Sequence, residues 1–152
     1  MAASKYKIRT IGRREFVDFP ELGLFAVEAK IDTGAYTSSI HCKDISLGTV
    51  NGKEVLRFKL LDESHPEHSE TVYQFTDFSR KKIKNSFGEM EERYIIKTLI
   101  CLGKKNIRTI LSLSDRENMR YPVLIGRRIL KGKFIVDVNA IHSKGLKFKR
   151  KK

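Results

Sequence analysis

The most informative segment of this 152-residue chain reads Lys30-Ile31-Asp32-Thr33-Gly34-Ala35-Tyr36-Thr37-Ser38-Ser39-Ile40. In it, an apolar run with the alternation of a β-strand ends in an acid, followed by a small hydroxyl residue and a glycine. This order is typical of a carboxylate on a tight turn at the end of a strand. The glycine lets another part of the backbone approach closely, and nearby N–H and hydroxyl groups can hydrogen-bond the carboxylate oxygens. Asp-Thr-Gly is also a common turn tripeptide, so the motif alone leaves a purely structural turn as the more frequent interpretation.

A second motif follows later in the chain, in Tyr121-Pro122-Val123-Leu124-Ile125-Gly126-Arg127-Arg128-Ile129-Leu130. Here an apolar run ends in glycine, and two arginines and two further apolar residues come next. We predict a short helix over residues 127–131 that is closed by Gly132, because glycine readily adopts the left-handed conformation that ends helices.

Most of the remaining chain shows the period of two that is typical of β-strands. Residues 56–60 alternate strictly between apolar and basic. Asn51-Gly52 predicts a two-residue hairpin turn, since both residues tolerate positive φ. Strands at this spacing, with almost no helical period, predict an all-β barrel or sandwich. Three further sets of residues are each predicted to share one face of a strand: Phe25, Val27, Ala29 and Ile31; Tyr94, Ile96, Thr98, Ile100 and Leu102; and Ile107, Thr109, Leu111 and Leu113.

The composition indicates a soluble globular protein with one domain over residues 1–152. Its net charge of +13 favours polyanionic partners, and part of that charge lies in a basic, flexible tail predicted at 143–152. No apolar run approaches the roughly 20 residues that cross a membrane, and the N-terminus lacks the apolar core of a signal peptide. Two cysteines are too few for a disulfide scaffold, so we expect a cytoplasmic protein with no membrane partner.

Together the two motifs resemble those of the retropepsin-like aspartic peptidases, over residues 22–138. Members of that family pair Asp-Thr-Gly-Ala with a later strand that ends in two apolar residues and glycine. The resemblance implies a closed acid-protease barrel with Asp32 as the catalytic carboxylate. It also implies support of the active-site loop by Thr33, Gly34, Ala35, Leu124, Ile125 and Gly126. A hairpin at residues 82–90 corresponds to the family's flap, and the candidate flap or substrate contacts are Phe87, Gly88, Arg93 and Arg116.

The chain is more closely similar to a small bacterial family within that superfamily, often labelled ATP-dependent zinc proteases. The similarity lies in residues 32–40, 85–88, 113–116 and 121–127. Some relatives are encoded near, or fused to, ligases that attach glutamates to proteins. The resemblance therefore implies a protein or peptide substrate with acidic or glutamylated segments, which also suits the positive charge of the chain.

The family's chemistry needs two carboxylates that share one proton, since two close negative charges cannot both ionise. One carboxylate activates a water as general base while the other polarises the scissile carbonyl. The chain has one Asp-Thr-Gly. We therefore expect an aspartic endopeptidase that acts as a homodimer, with a second copy supplying the other carboxylate across a two-fold axis. Asp137 or Asp77 is the alternative within one chain.

Two functions of other classes stay open. One is a non-catalytic basic binding module on the same barrel, with RNA, ribosomes or an acidic protein as partner; nucleic acid is the less favoured partner. The other is a metal-dependent hydrolase that uses His65 and His68, which lie in a polar loop without a rigid helical face. His41 and Cys42 lack a matching downstream His/Asn arrangement, so we interpret them as structural. No phosphate-binding loop occurs, and we expect neither a cofactor nor a metal.

Overall fold

The structure is a computed structural model that describes residues 7–61, 65, 69–84, 87–115 and 120–142. The tail predicted at 143–152, and the candidate residues Arg116 and His68, lie outside these ranges. The described part contains one 3₁₀ helix (Pro20–Leu22) and one short α-helix, and its other regular elements are strands. Neither helix is long and apolar enough to span a membrane. The helix is α1 (Arg127–Leu130), and the strands are β1 (Arg9–Gly12), β2 (Arg14–Phe19), β3 (Leu24–Ile31), β4 (Ser39–Val50), β5 (Lys53–Leu60), β6 (Tyr73–Phe75), β7 (Ser79–Lys84), β8 (Met90–Leu102), β9 (Lys105–Ser114), β10 (Val123–Ile125) and β11 (Phe134–Asp137).

Two-residue turns join the strands of two long hairpins. β4 and β5 are connected by Asn51 and Gly52, whose φ values of 52° and 78° confirm the predicted turn. β8 and β9 are connected by Gly103 and Lys104, which also have positive φ (56° and 69°). Positive φ at both central residues suits the right-handed twist of the strands that such a turn joins.

β10 is the strand that brings the two sequence motifs together. It runs parallel to β3, pairing Val123 with Ala29 and Ile125 with Ile31, and antiparallel to the start of β4. The pairings continue from β3 through β2, β8 and β9 back to β4, with β9 and β4 parallel. They therefore form a circuit that begins and ends at β10. β6 and β7 lie outside this circuit, paired with β5 and β8 respectively.

The predicted strand faces form much of the core. In β5, Leu56, Phe58 and Leu60 are buried, whereas Arg57 and Lys59 between them are half-exposed, as their alternation predicts. The predicted faces of β8 and β9 also turn inward. Their buried members are Ile96, Thr98, Ile100, Leu102, Leu111 and Leu113.

The face predicted for β3 is wrong at one residue. Phe25 is 53% exposed and Leu24 is buried instead, although the three later residues of the set are buried as predicted. The cause is Ala26, whose φ of 61° interrupts the alternation and whose N–H donates to the Asp18 carboxylate at 2.8 Å. The register between β2 and β3 shifts at this point, as it does at a β-bulge.

The first and last strands pair with each other. β1 and β11 lie parallel, with Arg9 opposite Phe134 and Gly12 opposite Asp137. Because β11 closely follows α1 in the chain, this small sheet lies beside the helix that follows Gly126.

Candidate active site

Asp32 follows the last residue of β3, and backbone hydrogen bonds hold it on both sides. Its N–H donates to the carbonyl of Ile125 at 2.8 Å, and its own carbonyl accepts the N–H of Ala35 at 3.2 Å. The carboxylate oxygen Oδ1 accepts the N–H of Gly34 at 3.0 Å. The Asp32 side chain is half-buried, whereas Thr33 and Gly34 are exposed. The segment of residues 32–38, here called the Asp32 loop, therefore presents one carboxylate in a fixed orientation at a strand end.

Gly126 lies directly beneath this loop. A Cβ atom at position 126 would lie 2.7 Å from the carbonyl oxygen of Tyr36 and 2.9 Å from that of Ala35. Its φ of −99° and ψ of 179° are accessible to any residue. Glycine is therefore required here by the close approach of another backbone segment, as the sequence motif suggests, and not by an unusual dihedral angle.

Ser38 ties the Asp32 loop to the second motif, and sequence reasoning missed it. Its hydroxyl accepts the N–H of Gly126 at 2.9 Å, and its carbonyl accepts the N–H of Ser112 in β9 at 2.9 Å. Its exposed fraction is 1%. The run Thr37-Ser38-Ser39 signals local hydroxyl groups, but which of them faces Gly126 depends on the pairing of β10 with β3 and β4.

Arg127 closes the loop from the other side. Its backbone N–H donates to the carbonyl of Ala35 at 2.9 Å, and that of Arg128 donates to Tyr36 at 3.0 Å. The Arg127 guanidinium donates to the carbonyl of Thr33 at 2.9 Å and lies over the Tyr36 ring, 5.7 Å from its centroid. Five hydrogen bonds thus connect the Asp32 loop to the segment from β10 to α1. Four are donated by the backbone N–H groups of Asp32, Gly126, Arg127 and Arg128, and the fifth by the Arg127 guanidinium.

A cleft of about 140 Å³ lies between the β7–β8 hairpin and the Asp32 loop. Two cations from neighbouring strands line it, Lys81 in β7 and Arg93 in β8. These two residues lie opposite each other in the pairing of the two strands. The Arg93 guanidinium donates to the Glu91 carboxylate at 2.8 Å, and Lys81 is exposed. Ammonium, guanidinium and hydroxyl groups are good donors to carboxylates. The lining residues are Ala35, Thr37, Ser39, Lys81, Arg93, Ile95, Ser112 and Leu124.

A larger open concavity of about 760 Å³ borders the other side of the Asp32 loop. We call its surface the α1–β11 face, because most of its residues belong to that helix, that strand and the connection between them. Tyr36, at 52%, is the most exposed aromatic residue of the face. The lining residues are Thr33, Tyr36, Arg127, Leu130, Lys131, Phe134 and Val136.

The predicted flap residues lie at the far end of the β7–β8 hairpin, where Lys84 pairs with Met90. Phe87 is 87% exposed, and Gly88 has a φ of 82°. The hairpin therefore exists where the resemblance implies, and its base lines the cleft while Phe87 projects into solvent. Contact of Phe87, Gly88 or Arg93 with a substrate stays a prediction.

The two alternative partner carboxylates for Asp32, Asp77 and Asp137, belong to other elements of the chain. Asp77 is exposed in the bend between β6 and β7. Asp137 ends β11, and its Oδ1 accepts the N–H of Asn139 at 2.9 Å, as in a local turn. Neither is among the described residues that line the cleft or the α1–β11 face.

His41 and Cys42 lie buried in β4. Burial, with a smaller effect of the Asp115 carboxylate, raises the pKa of the Cys42 thiol to about 12, so it is not a nucleophile at neutral pH. His41 Nδ1 lies 3.9 Å from Asp115 Oδ1, and the His41 and His65 rings meet edge-on with centroids 6.2 Å apart. Within the described ranges, no cluster of three or more histidine, cysteine or acidic side chains is arranged to hold a metal ion. These observations agree with the structural interpretation of His41 and Cys42.

Comparison with known families agrees with an all-β fold of the retropepsin-like kind. A match to a family model shows that the chain is a retropepsin-like protein. It belongs to the RimB-like family, whose model, described as retropepsin-like aspartic endopeptidase RimB, matches residues 10–145. The resemblance that the two sequence motifs indicate is therefore confirmed.

The similar proteins of known sequence carry a different name. The chain is 35% identical over 129 residues to a probable alpha-L-glutamate ligase of Desulfotalea psychrophila, and 37% identical over 131 residues to one of Shewanella halifaxensis. These matches cover 85% and 84% of this chain but only 28% of each relative. Among solved structures, it is similar to the Legionella pneumophila protein Lpg0085, of unknown function. That match has a TM-score of 0.68 and 25% identity, and covers 90% of this chain and 98% of the other.

Proposed function

We propose that this chain is an aspartic endopeptidase whose catalytic carboxylate is Asp32, carried on a closed barrel formed by the strand circuit through β10. The observation that carries the proposal is the way Asp32 is held. Its loop is hydrogen-bonded to β10 and α1, and Gly126 allows the backbone contact beneath it. A carboxylate fixed in this way is positioned before a substrate arrives, which lowers the entropic cost of the reaction.

The second carboxylate comes from a second copy of the chain. In the proposed reaction, one Asp32 accepts a proton from a water molecule whose oxygen attacks the scissile carbonyl. The other Asp32 donates the shared proton to the carbonyl oxygen, which gives a tetrahedral intermediate with two hydroxyl groups. The proton taken from the water then passes to the amine nitrogen as the C–N bond breaks, and a hydroxyl proton of the intermediate returns to the second Asp32. The pair holds one proton because two adjacent negative charges repel each other strongly. A two-fold axis beside Asp32 is the simplest arrangement that places two equivalent carboxylates together.

We infer that the substrate segment is acidic. The cleft beside the Asp32 loop is lined by Lys81 and Arg93 and by the hydroxyl groups of Thr37, Ser39 and Ser112, and no acidic residue is among the described residues that line it. The net charge of +13 attracts anionic chains over longer distances. The probable alpha-L-glutamate ligases that resemble this chain support a connection with glutamate-bearing chains.

Hydrolysis of a glutamate-rich peptide by the full chain tests the catalytic assignment. Asp32→Asn should abolish cleavage, whereas Asp77→Asn and Asp137→Asn, which make the same change at the two alternative carboxylates, should not. The pH profile should be bell-shaped, because it reports two macroscopic ionisations of the shared-proton pair. Cleavage that survives in Asp32→Asn, or that a chelator removes and zinc restores, would overturn the proposal.

The substrate inference has a separate test. Lys81→Gln should reduce cleavage of a glutamate-rich peptide more than that of a matched glutamine-rich peptide. Lys97→Gln serves as the control, because it removes an exposed cation of β8 that does not line the cleft. The preference should weaken with salt as the screening length falls to about 8 Å at physiological ionic strength. Equal cleavage rates for both peptides at every salt concentration would show that the positive charge of the chain does not select acidic substrates.

A non-catalytic binding module is the second candidate, and the charge of +13 is the observation that favours it. The two functions make opposite predictions for one variant. If the chain only binds acidic proteins or RNA, Asp32→Asn should leave that binding intact and no cleavage should be measurable in the unsubstituted chain.

A further inference from the structure

The floor of the cleft beside the Asp32 loop continues toward β3. Residues directly opposite each other in neighbouring strands have their side chains on the same face of a sheet. One row of such residues crosses five strands, from β3 through β10, β4 and β9 to β8: Lys30, Leu124, Ser39, Ser112 and Ile95. The last four of these residues line the cleft. Lys30 therefore lies on the face that forms the cleft floor, one strand beyond Leu124.

The surroundings of Lys30 suit an anionic ligand. Lys30 is exposed, whereas its two neighbours in β3 are buried in the core. Glu28 shares the face of Lys30 two positions earlier in the strand, but its carboxylate has other partners. Its Oε2 lies 2.7 Å from His142 Nε2 and 3.9 Å from Arg14 Nη1. Arg14, a second cation, is also the residue opposite Lys30 in β2. A carboxylate that approaches Lys30 from the cleft therefore meets positive charge.

Lys30 and the two cations of the cleft lie toward opposite ends of this row. Lys81 and Arg93 belong to the β7–β8 hairpin, whereas Lys30 precedes Asp32 by two residues. Neighbouring strands lie about 4.8 Å apart, so the four steps from β3 to β8 span at most about 19 Å. An extended peptide rises about 3.3 Å per residue, so about six of its residues cover that distance. One short acidic segment can therefore contact cations at both ends of the row.

We infer, on the basis of the proposed function in which Asp32 cleaves an acidic segment, that Lys30 is a further specificity-determining residue. Its ammonium group binds the glutamate carboxylate nearest the scissile bond, because Lys30 and the catalytic carboxylate are two positions apart. Lys81 and Arg93 bind glutamates farther along the same segment. The flexible four-carbon stem of lysine lets its ammonium group reach past one neighbouring strand. The substrate is therefore selected for acidic side chains at two separate places.

A double-mutant cycle between the full chain and its substrate tests this assignment. Mass spectrometry locates the scissile bond in a glutamate-rich peptide, and each glutamate is then replaced singly by glutamine. Lys30→Gln should lower kcat/KM for the parent peptide about three- to fivefold, as expected for an exposed ion pair. This loss should vanish for the peptide that has glutamine next to the scissile bond. Lys30→Arg, which keeps the charge, should retain the preference for glutamate there.

Two matched variants complete the cycle. Lys81→Gln should couple to glutamates farther from the scissile bond, and Lys97→Gln, an exposed site outside both the row and the cleft, should couple to none. The cycle compares ratios, so a change in the fraction of folded chain cancels. If Lys30→Gln lowers kcat/KM equally for every peptide, or leaves it unchanged for all, the assignment of Lys30 is overturned and the proposed peptidase stands. If the unsubstituted chain cleaves none of the peptides, the proposed function and the assignment of Lys30 fail together.

Discussion

Replacement of Gly126 by alanine should displace the Asp32 loop, and it should therefore lower activity as well as the free energy of unfolding. The added Cβ would lie 2.7 and 2.8 Å from the carbonyl oxygen and carbon of Tyr36, and 2.9 Å from the carbonyl oxygen of Ala35. These are backbone atoms, so the loop must move as a whole by several tenths of an ångström. Overpacking of this kind costs about 1–3 kcal/mol. Weakening of the adjacent hydrogen bonds, at about 1 kcal/mol each, brings the expected loss of unfolding free energy to about 3 kcal/mol.

The matched control is Gly132→Ala, past the other end of α1. No atom lies within 4 Å of a Cβ at that position, but its φ of 77° is unfavourable for alanine, so the expected cost is about 1–2 kcal/mol. Urea denaturation measures both free energies, and cleavage of a glutamate-rich peptide measures function. Gly126→Ala should also lose most of its activity, because Asp32 moves with the loop, whereas Gly132→Ala should keep it. A Gly126→Ala chain that is as stable and as active as Gly132→Ala would refute the reasoning.

Three further predictions concern single side chains. Ser38→Ala should lower the unfolding free energy by about 1–3 kcal/mol in urea denaturation, because the buried N–H of Gly126 loses its acceptor. Cys42 should react with a thiol reagent far more slowly than the half-buried Cys101 in the folded chain, since burial raises the pKa of Cys42 to about 12, and both should react alike in urea. The hydrogen bond from Arg108 lowers the pKa of Glu21 below its ordinary value of 4.5. The pair therefore stabilises the fold at neutral pH and ceases to do so as the pH falls through the lowered pKa, so the difference in melting temperature between the unsubstituted chain and Glu21→Gln should vanish in acid.

Local patterns were sufficient to predict the strands β5, β8 and β9 and the turn between β4 and β5. Alternation in β5 identified its buried face because side chains of successive residues point to opposite sides of any strand. Asn51-Gly52 predicted the turn because few other residues tolerate positive φ twice in succession. The same local reasoning failed at Phe25, since the bulge at Ala26 places an alanine at positive φ, and no glycine or asparagine marks it in the sequence.

The sequence by itself determined that an aspartate follows a strand, that a glycine follows it two residues later, and that a second apolar run ends in glycine further along the chain. These are properties of short segments, in which residue type and local conformation are closely linked. Only the tertiary structure decided that β10 lies parallel to β3, that Ser38 accepts the N–H of Gly126, and that Arg127 reaches the Thr33 carbonyl. Those contacts join residues about ninety positions apart, and they depend on strand register, which the pairing of all the strands in the sheet selects and no local pattern specifies.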